Sequence, residues 1–198
     1  MPLDEGLKVE DLSDEQLIFN FQEGDNSAYN EIVKRYKDRL TNFIYRYVGS
    51  YDECDDIVQD TFIKVYVSKH LYKEIAKFST WIYTIAINLA KTKLIKKQKY
   101  KIFSLSSSSE EDDKDFDIPD DAFLPDVDAN AKFQNEQIQK ALNSISENYR
   151  KLVILRDVED FSYEEIAEMT GLPMGTVKSR INRGREKLQK LLKNLYRE

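Results

Sequence analysis

The sequence holds one cysteine, Cys54, and one histidine, His70, in 198 residues. A lone cysteine forbids an internal disulfide, and one of each cannot complete a Cys/His zinc cage; a reducing cytoplasm fits this usage. Glycine and proline are scarce, at six and four residues. That excludes collagen-like or low-complexity character and leaves almost nothing for a glycine-rich phosphate loop. No long apolar run exists either: Trp81 to Ala90 is broken by Thr84 and Asn88 and is too short to cross a bilayer. The acidic start MPLDEGLKVEDLSDEQ lacks both the basic and the apolar parts of a signal peptide. The 41% of apolar residues is enough for the core of one ordinary domain or two small ones.

Net charge is −6, which as a bulk number argues weakly against nucleic acid. Its distribution reverses that reading. Lys91 to Phe103 holds six lysines and no acid, Ser104 to Asp128 holds ten acids and only Lys114, and Met174 to Glu198 holds eight basic and two acidic residues. Without the acidic segment the chain is net positive. SLSSSSEEDDKDFDIPDDAFLPDVD combines serine and acid runs with two prolines and too few apolar residues to offset its ordering entropy. It reads as a flexible linker over 104–130 between domains at 13–103 and 131–198, after a tail at 1–12.

Elsewhere apolar residues recur at three and four spacing, with no sustained alternation of period two, so the expected fold class is all-α, two small helical domains. Ser13 with Gln16 and Ser162 with Glu165 are capping boxes, stapled by Leu12 with Leu17 and by Phe161 with Ile166. Asp25 is placed to cap a helix to about Tyr47, Ser50 with Glu53 the next, Ser79 the Trp81 helix, and Ser146 a helix to about Asp157.

The most specific string is FSYEEIAEMTGLPMGTVKSRINRGREKLQKLL, Phe161 to Leu192. Small Ala167 suits a helix crossing, Gly171 a turn of positive φ, and Val177 an apolar lock inside the second helix, which together specify a helix-turn-helix. At 100° per residue Ile181, Gly184 and Leu188 share the face of Val177, while Gly175, Ser179, Asn182, Arg183 and Glu186 lie opposite. That outer face, with Thr176 at its start and Lys178, Arg180, Arg185 and Lys187 beside it, suits base edges and phosphates. Thr170 stands where an apolar residue is usual.

In SYDECDDIVQDTFIKVYVSKHL, Cys54, Val58, Thr61 and Val65 share one helical face, and Asp56, Gln59, Asp60 and Ile63 point away from it. An outward isoleucine among acids suggests protein docking; solvated acids favouring a helix N-terminus are the bland alternative. A magnesium site lacks the spaced Asp-x-Asp-x-Asp-Gly loop it would need. In KFSTWIYTIAINLAKTKLIKKQKYK, aromatics beside lysines resemble single-stranded DNA binding. Trp81, Ile85 and Leu89 nevertheless share one face and are expected in the core, which leaves the lysines as the better signal. A membrane-surface helix would need an apolar stripe, whereas apolar residues here nearly encircle the helix. Cys54 is expected to fill the core, and His70 to lie at the surface.

These segments, in this order, resemble the small two-domain extracytoplasmic-function group of bacterial RNA polymerase sigma factors, over residues 13–100 and 132–192. DDIVQDTFIKVY resembles the group's polymerase-clamp-binding helix, FSTWIYTIAINLA its strand-opening segment, and YEEIAEMTGLPMGTVKSRINRGREKL its upstream-promoter reader. The resemblance implies core RNA polymerase as partner, through the clamp helices of its largest subunit and the flap of its second-largest. It places Asp56, Gln59, Asp60 and Ile63 at the polymerase. Ser79, Thr80, Asn88, Lys91, Lys93, Lys96 and Lys97 then meet the minus-ten element. Thr176, Lys178, Ser179, Arg180, Asn182, Arg183, Arg185 and Lys187 meet the minus-thirty-five element. An anti-sigma factor or another recruiting protein is a further implied partner; no cofactor, metal or membrane is. Thr92 and Ile95 replace an Asp and an Arg common in the group, so no base preference is carried over. A self-sufficient regulator with a sensing domain is the alternative, separated by whether the free chain binds duplex DNA without polymerase. An enzyme is disfavoured, since no nucleophile with its base, metal cluster or phosphate loop can be assembled.

Overall fold

A computed structural model describes residues 8–107 and 129–193. Those residues form eight α-helices and no strand. The first half contains α1 (Asp14–Gln22), α2 (Asn26–Val48), α3 (Tyr51–Ser68) and α4 (Phe78–Ser107); the second contains α5 (Ala129–Ser144), α6 (Glu147–Asp157), α7 (Tyr163–Thr170) and α8 (Met174–Leu192). The basic helix therefore runs past the expected boundary at 103, and residues 108–128 of the acidic linker lie outside the described residues.

The axis of the first half is α2, whose Ala28, Ile32, Tyr36, Leu40, Phe43, Ile44 and Tyr47 are all buried. Their three and four spacing makes one apolar stripe, against which α1, α3 and α4 pack. Asp25 accepts the backbone N–H of Ser27 at 2.8 Å to start the helix, and Gly49 ends it in the left-handed region. Arg35 locks α1 across α2, donating to the Leu12 carbonyl at 2.8 Å and to Asp14 Oδ1 at 2.9 Å. The other Asp14 oxygen accepts from the Tyr36 hydroxyl at 2.5 Å.

Both capping boxes form as expected. Ser50 and Ser146 stand at their helix starts without a side-chain capping bond. Glu53 turns instead to Lys97, 3.0 Å away on α4. Ser79 lies inside α4 rather than before it; the Phe78 backbone N–H is satisfied by Glu15 Oε1 of α1 at 3.1 Å. Another correction concerns the α4 core. Trp81, Ile85 and Leu89 are only partly buried, whereas Phe78, Ile82, Tyr83, Ala86, Ile87 and Ala90 are the buried set. Trp81 packs its ring near Tyr72 and Phe78, at 5.5 and 5.9 Å between centroids. The wheel fails here because α4 has neighbours on two sides, so one stripe cannot describe it.

The same reason explains α6, where the consecutive residues Leu152, Val153, Ile154 and Leu155 are all buried. Four consecutive helical positions sweep about 300°. Such a helix needs partners all round, and α6 has α2 on one side with α7 and α8 on the other. The two halves thus pack on each other, sharing one continuous apolar cluster, which the expectation of separate domains did not include.

Candidate nucleic-acid and protein interfaces

In the second half Gly171 takes φ 65° between α7 and α8, as the turn requires. Val177, Ile181 and Gly184 are buried and Leu188 half-buried. Having no side chain, Gly184 lets α8 approach α6 so closely that an added Cβ would lie 2.6 Å from Val153. Lys178, Ser179, Asn182, Arg183 and Lys187 are exposed, and Thr176 and Arg180 half-buried. Thr170 is accommodated by donating its hydroxyl to the Ile166 carbonyl at 2.6 Å.

Not all of the flanking cations are free. Arg185 grips Asp157 at the end of α6 with two hydrogen bonds, Nε to Oδ2 at 3.0 Å and Nη2 to Oδ1. That charge-assisted pair raises the Arg185 pKa further and turns its guanidinium toward the protein. Lys178 lies 5.6 Å over the Tyr163 ring and Lys187 5.4 Å over Tyr149. Both ammonium groups are thereby steadied while their residues stay exposed.

On α3, Cys54, Val58, Thr61 and Val65 face the core, and Asp56, Gln59, Asp60 and Ile63 are exposed. Ile63 is 59% exposed and has Tyr66 and Val67 as exposed neighbours on the same helix. Asp56 is occupied, because Lys93 of α4 donates to it at 2.7 Å; this bond raises the Lys93 pKa. Lys97 is similarly held by Glu53. Of the predicted minus-ten lysines, Lys91 and Lys96 make no ion pair with the described residues. Asn88 is exposed, and its carbonyl accepts from the Thr92 hydroxyl at 2.8 Å.

Thr80 departs from expectation, being 2% exposed. Its hydroxyl has no partner among the described residues, and Tyr83, about one turn on, meets Phe161 of the second half. Ser79 beside it is half-buried. Lys91 and Arg180, expected at opposite ends of a promoter, both act on the half-buried Lys151 of α6. Burial first, then these two cations, pulls the Lys151 ammonium below its ordinary pKa. Sequence reasoning missed the residues at the seam between the halves: Tyr47, Lys77 and Tyr83 on one side, Glu147, Arg150, Glu159 and Glu165 on the other. The run LVIL in α6, apolar all round, was the available signal.

Comparison with known proteins agrees with this geometry. Residues 32–100 match the family model for Sigma-70 region 2, and residues 135–188 that for Sigma-70, region 4. The ECF RNA polymerase sigma factor SigW of Bacillus subtilis is 35% identical over 179 residues, covering 90% of this chain and 96% of that protein. The ECF RNA polymerase sigma-E factor of Haemophilus influenzae is 34% identical, covering 94% and 99%. Among solved structures, the sigma factor RpoE from Bartonella quintana, in complex with the anti-sigma factor NepR, superposes with a TM-score of 0.66 at 26% identity, covering 83% of this chain and 96% of that one. CnrH, solved with the cytosolic domain of CnrY, shares the fold at a TM-score of 0.67 and 21% identity, covering 91% and 97%.

Proposed function

Given that this chain belongs to the extracytoplasmic-function sigma factors of bacterial RNA polymerase, and is a promoter-recognising initiation factor, we propose which surfaces serve that function. Gln59, Asp60 and Ile63 dock on core polymerase, with Asp56 at the edge of the contact, held by Lys93. Asn88, Lys91 and Lys96 follow the minus-ten element, joined by Lys93 and Lys97 when their pairs with α3 loosen, and by Ser79 and Thr80 once α4 is uncovered. The outward face of α8 reads the minus-thirty-five element: Ser179, Asn182 and Arg183 at base edges, Thr176, Lys178, Arg180 and Lys187 at phosphates. Arg185 belongs more to the fold of the second half than to DNA.

The observation that carries this reading is the α8 wheel: a polar, cationic face is exposed opposite a fully buried Val177 and Ile181. An ordinary bundle-closing helix has no need of that outer composition. The protein acts in the cytoplasm as a specificity subunit rather than a catalyst, and an anti-sigma factor is a partner of the kind seen with RpoE. Purified chain added to a cognate core polymerase should direct initiation at a defined set of start sites, read by transcript sequencing. Absence of any directed initiation would remove the reading. Tight, specific binding of duplex DNA by the free chain would favour a self-sufficient regulator instead.

A further inference from the structure

Two of the exposed α8 lysines each have an aromatic ring beside the ammonium, and the two rings come from different helices. Lys178 Nζ lies 5.6 Å from the centre of the Tyr163 ring, at the start of α7, and Lys187 Nζ lies 5.4 Å from that of Tyr149 on α6. Both tyrosines are half-buried, while both lysines stay exposed. Each ring has a fixed seat. Arg156 of α6 lies 5.3 Å from the centre of the Tyr163 ring and is itself held, donating Nη1 to the Phe161 carbonyl at 3.1 Å. Tyr149 sits where Gly184 has no side chain: a Cβ added to that glycine would come 3.3 Å from the Tyr149 Cβ. The bare backbone of Gly184 thus lets the α6 tyrosine lie directly against α8.

The places of the two lysines on the helix give the rings a use. Counting from the buried Val177 at about 100° per residue, Lys178 stands about 100° round to one side and Lys187 about 80° to the other. The exposed Ser179, Asn182 and Arg183 fall between them on the outer face. An α-helix with its side chains is about 10–12 Å across, and the major groove is about 12 Å wide. Cations on opposite flanks of a helix seated there face opposite walls, one strand's phosphates each. The Lys178 flank has little else to offer, because Arg185 on the same side is engaged by Asp157. A lysine reaches a phosphate on a flexible stem, and ordering that stem on contact costs affinity. A ring beside the ammonium attracts it and narrows its positions beforehand, yet covers only one side of it, leaving N–H donors for a phosphate oxygen. Ring and phosphate are therefore compatible partners.

We propose that Tyr163 and Tyr149 are positioning residues for DNA binding: each holds one α8 lysine toward the phosphates of one strand, so that α8 enters the groove with both flanks set. This role rests on the α8 reading proposed above, and the phosphate contacts it concerns carry no sequence preference.

The test measures binding of the full-length chain to duplex DNA of arbitrary sequence by fluorescence anisotropy over a salt series, with initiation by core polymerase assayed alongside. Tyr163→Leu and Tyr149→Leu should each weaken binding about threefold, and together about tenfold. Because no charge is lost, the salt slope should stay at the wild-type value, whereas Lys178→Ala or Lys187→Ala should lower it by about one. Tyr163→Phe keeps the ring and should bind as wild type does. In a Lys178→Ala background Tyr163→Leu should have no further effect, and likewise Tyr149→Leu in a Lys187→Ala background; a purely structural tyrosine would give additive losses instead. Without DNA, proton NMR should show the Lys178 and Lys187 ε-methylene signals shifted upfield by the rings in wild type and in Tyr163→Phe, each returning to its ordinary position when its own tyrosine is replaced by leucine. Circular dichroism verifies that the helices persist. Losses undiminished in the lysine-less backgrounds overturn the proposal. So does Tyr163→Phe as weak as Tyr163→Leu, which would make the hydroxyl itself the DNA contact. Failure to initiate with core polymerase while these couplings are seen overturns the proposed function and leaves the positioning role standing.

Discussion

Arg183 and Lys187 lie about one turn apart on α8, and their substitutions should fail in different ways. Arg183 points outward with no ion pair among the described residues, so Arg183→Ala should cost about 1–3 kcal/mol at the promoter and relax preference at one upstream position. Lys187 lies at the flank beside Tyr149, so Lys187→Ala should weaken all sequences alike and reduce the salt slope by about one. Initiation from a library of upstream sequences separates the two outcomes; if they are exchanged, the reading face is rotated. Cys54 gives a second prediction at this scale. Burial pushes its thiol from 9.0 up to about 12, and the thiolate is the reactive form. The native chain should therefore resist alkylation at pH 8 and react only after denaturation; ready labelling would place Cys54 outside the core. By linkage the unfolded chain loses the thiol proton first, so this group's contribution to stability is full below pH 9 and is lost as pH rises toward 12.

Among the elements, α3 is half core and, on the function proposed above, half docking surface. Its buried stripe, Cys54, Val58, Thr61 and Val65, packs into the core, while Gln59, Asp60 and Ile63 are exposed. Gln59→Ala with Asp60→Lys should consequently lower affinity for core polymerase by tenfold or more, since a reversed interface charge costs on the order of several kcal/mol. The melting temperature should barely change. Pull-down from purified core polymerase measures the first and circular dichroism the second; unchanged affinity would take both residues out of the interface. In α4, by contrast, no clean division exists, because one side packs into the first half and another meets α7. Two of its lysines are spent on Asp56 and Glu53, leaving fewer free cations for DNA than the lysine run suggests.

For the whole molecule, the acidic segment should weaken the free chain's hold on DNA. Ten acids stand in sequence between two basic segments, and their negative charge opposes the approach of a phosphate backbone, an effect that salt screens with a Debye length of about 10 Å at 0.1 M. Replacing residues 110–117 by Gly/Ser should increase the free chain's affinity for duplex DNA at low salt, and the gain should fade as salt rises. Fluorescence anisotropy across a salt series measures it. Affinity that stays constant at all salt concentrations would mean that the acids only solvate the segment.

Much of this protein was settled by local patterning. The helix class, the two capping boxes, the left-handed turn at Gly171 and the buried stripe of α8 all follow from residues within about four positions of one another, where backbone geometry fixes which side chains meet. Contacts between residues distant in sequence were beyond that reach. Arg185 is held by Asp157, 28 positions away, and Lys93 by Asp56, 37 positions away. Glu159, one acid among 36, becomes distinctive only when α6 and α7 bring it against Tyr83. The sequence by itself determined the helices and the buried faces of α3 and α8, because those are set by a period; the tertiary structure alone decided the faces of α4 and α6, which charges remain free and that the halves pack on each other, because those depend on which distant partner reaches each group first.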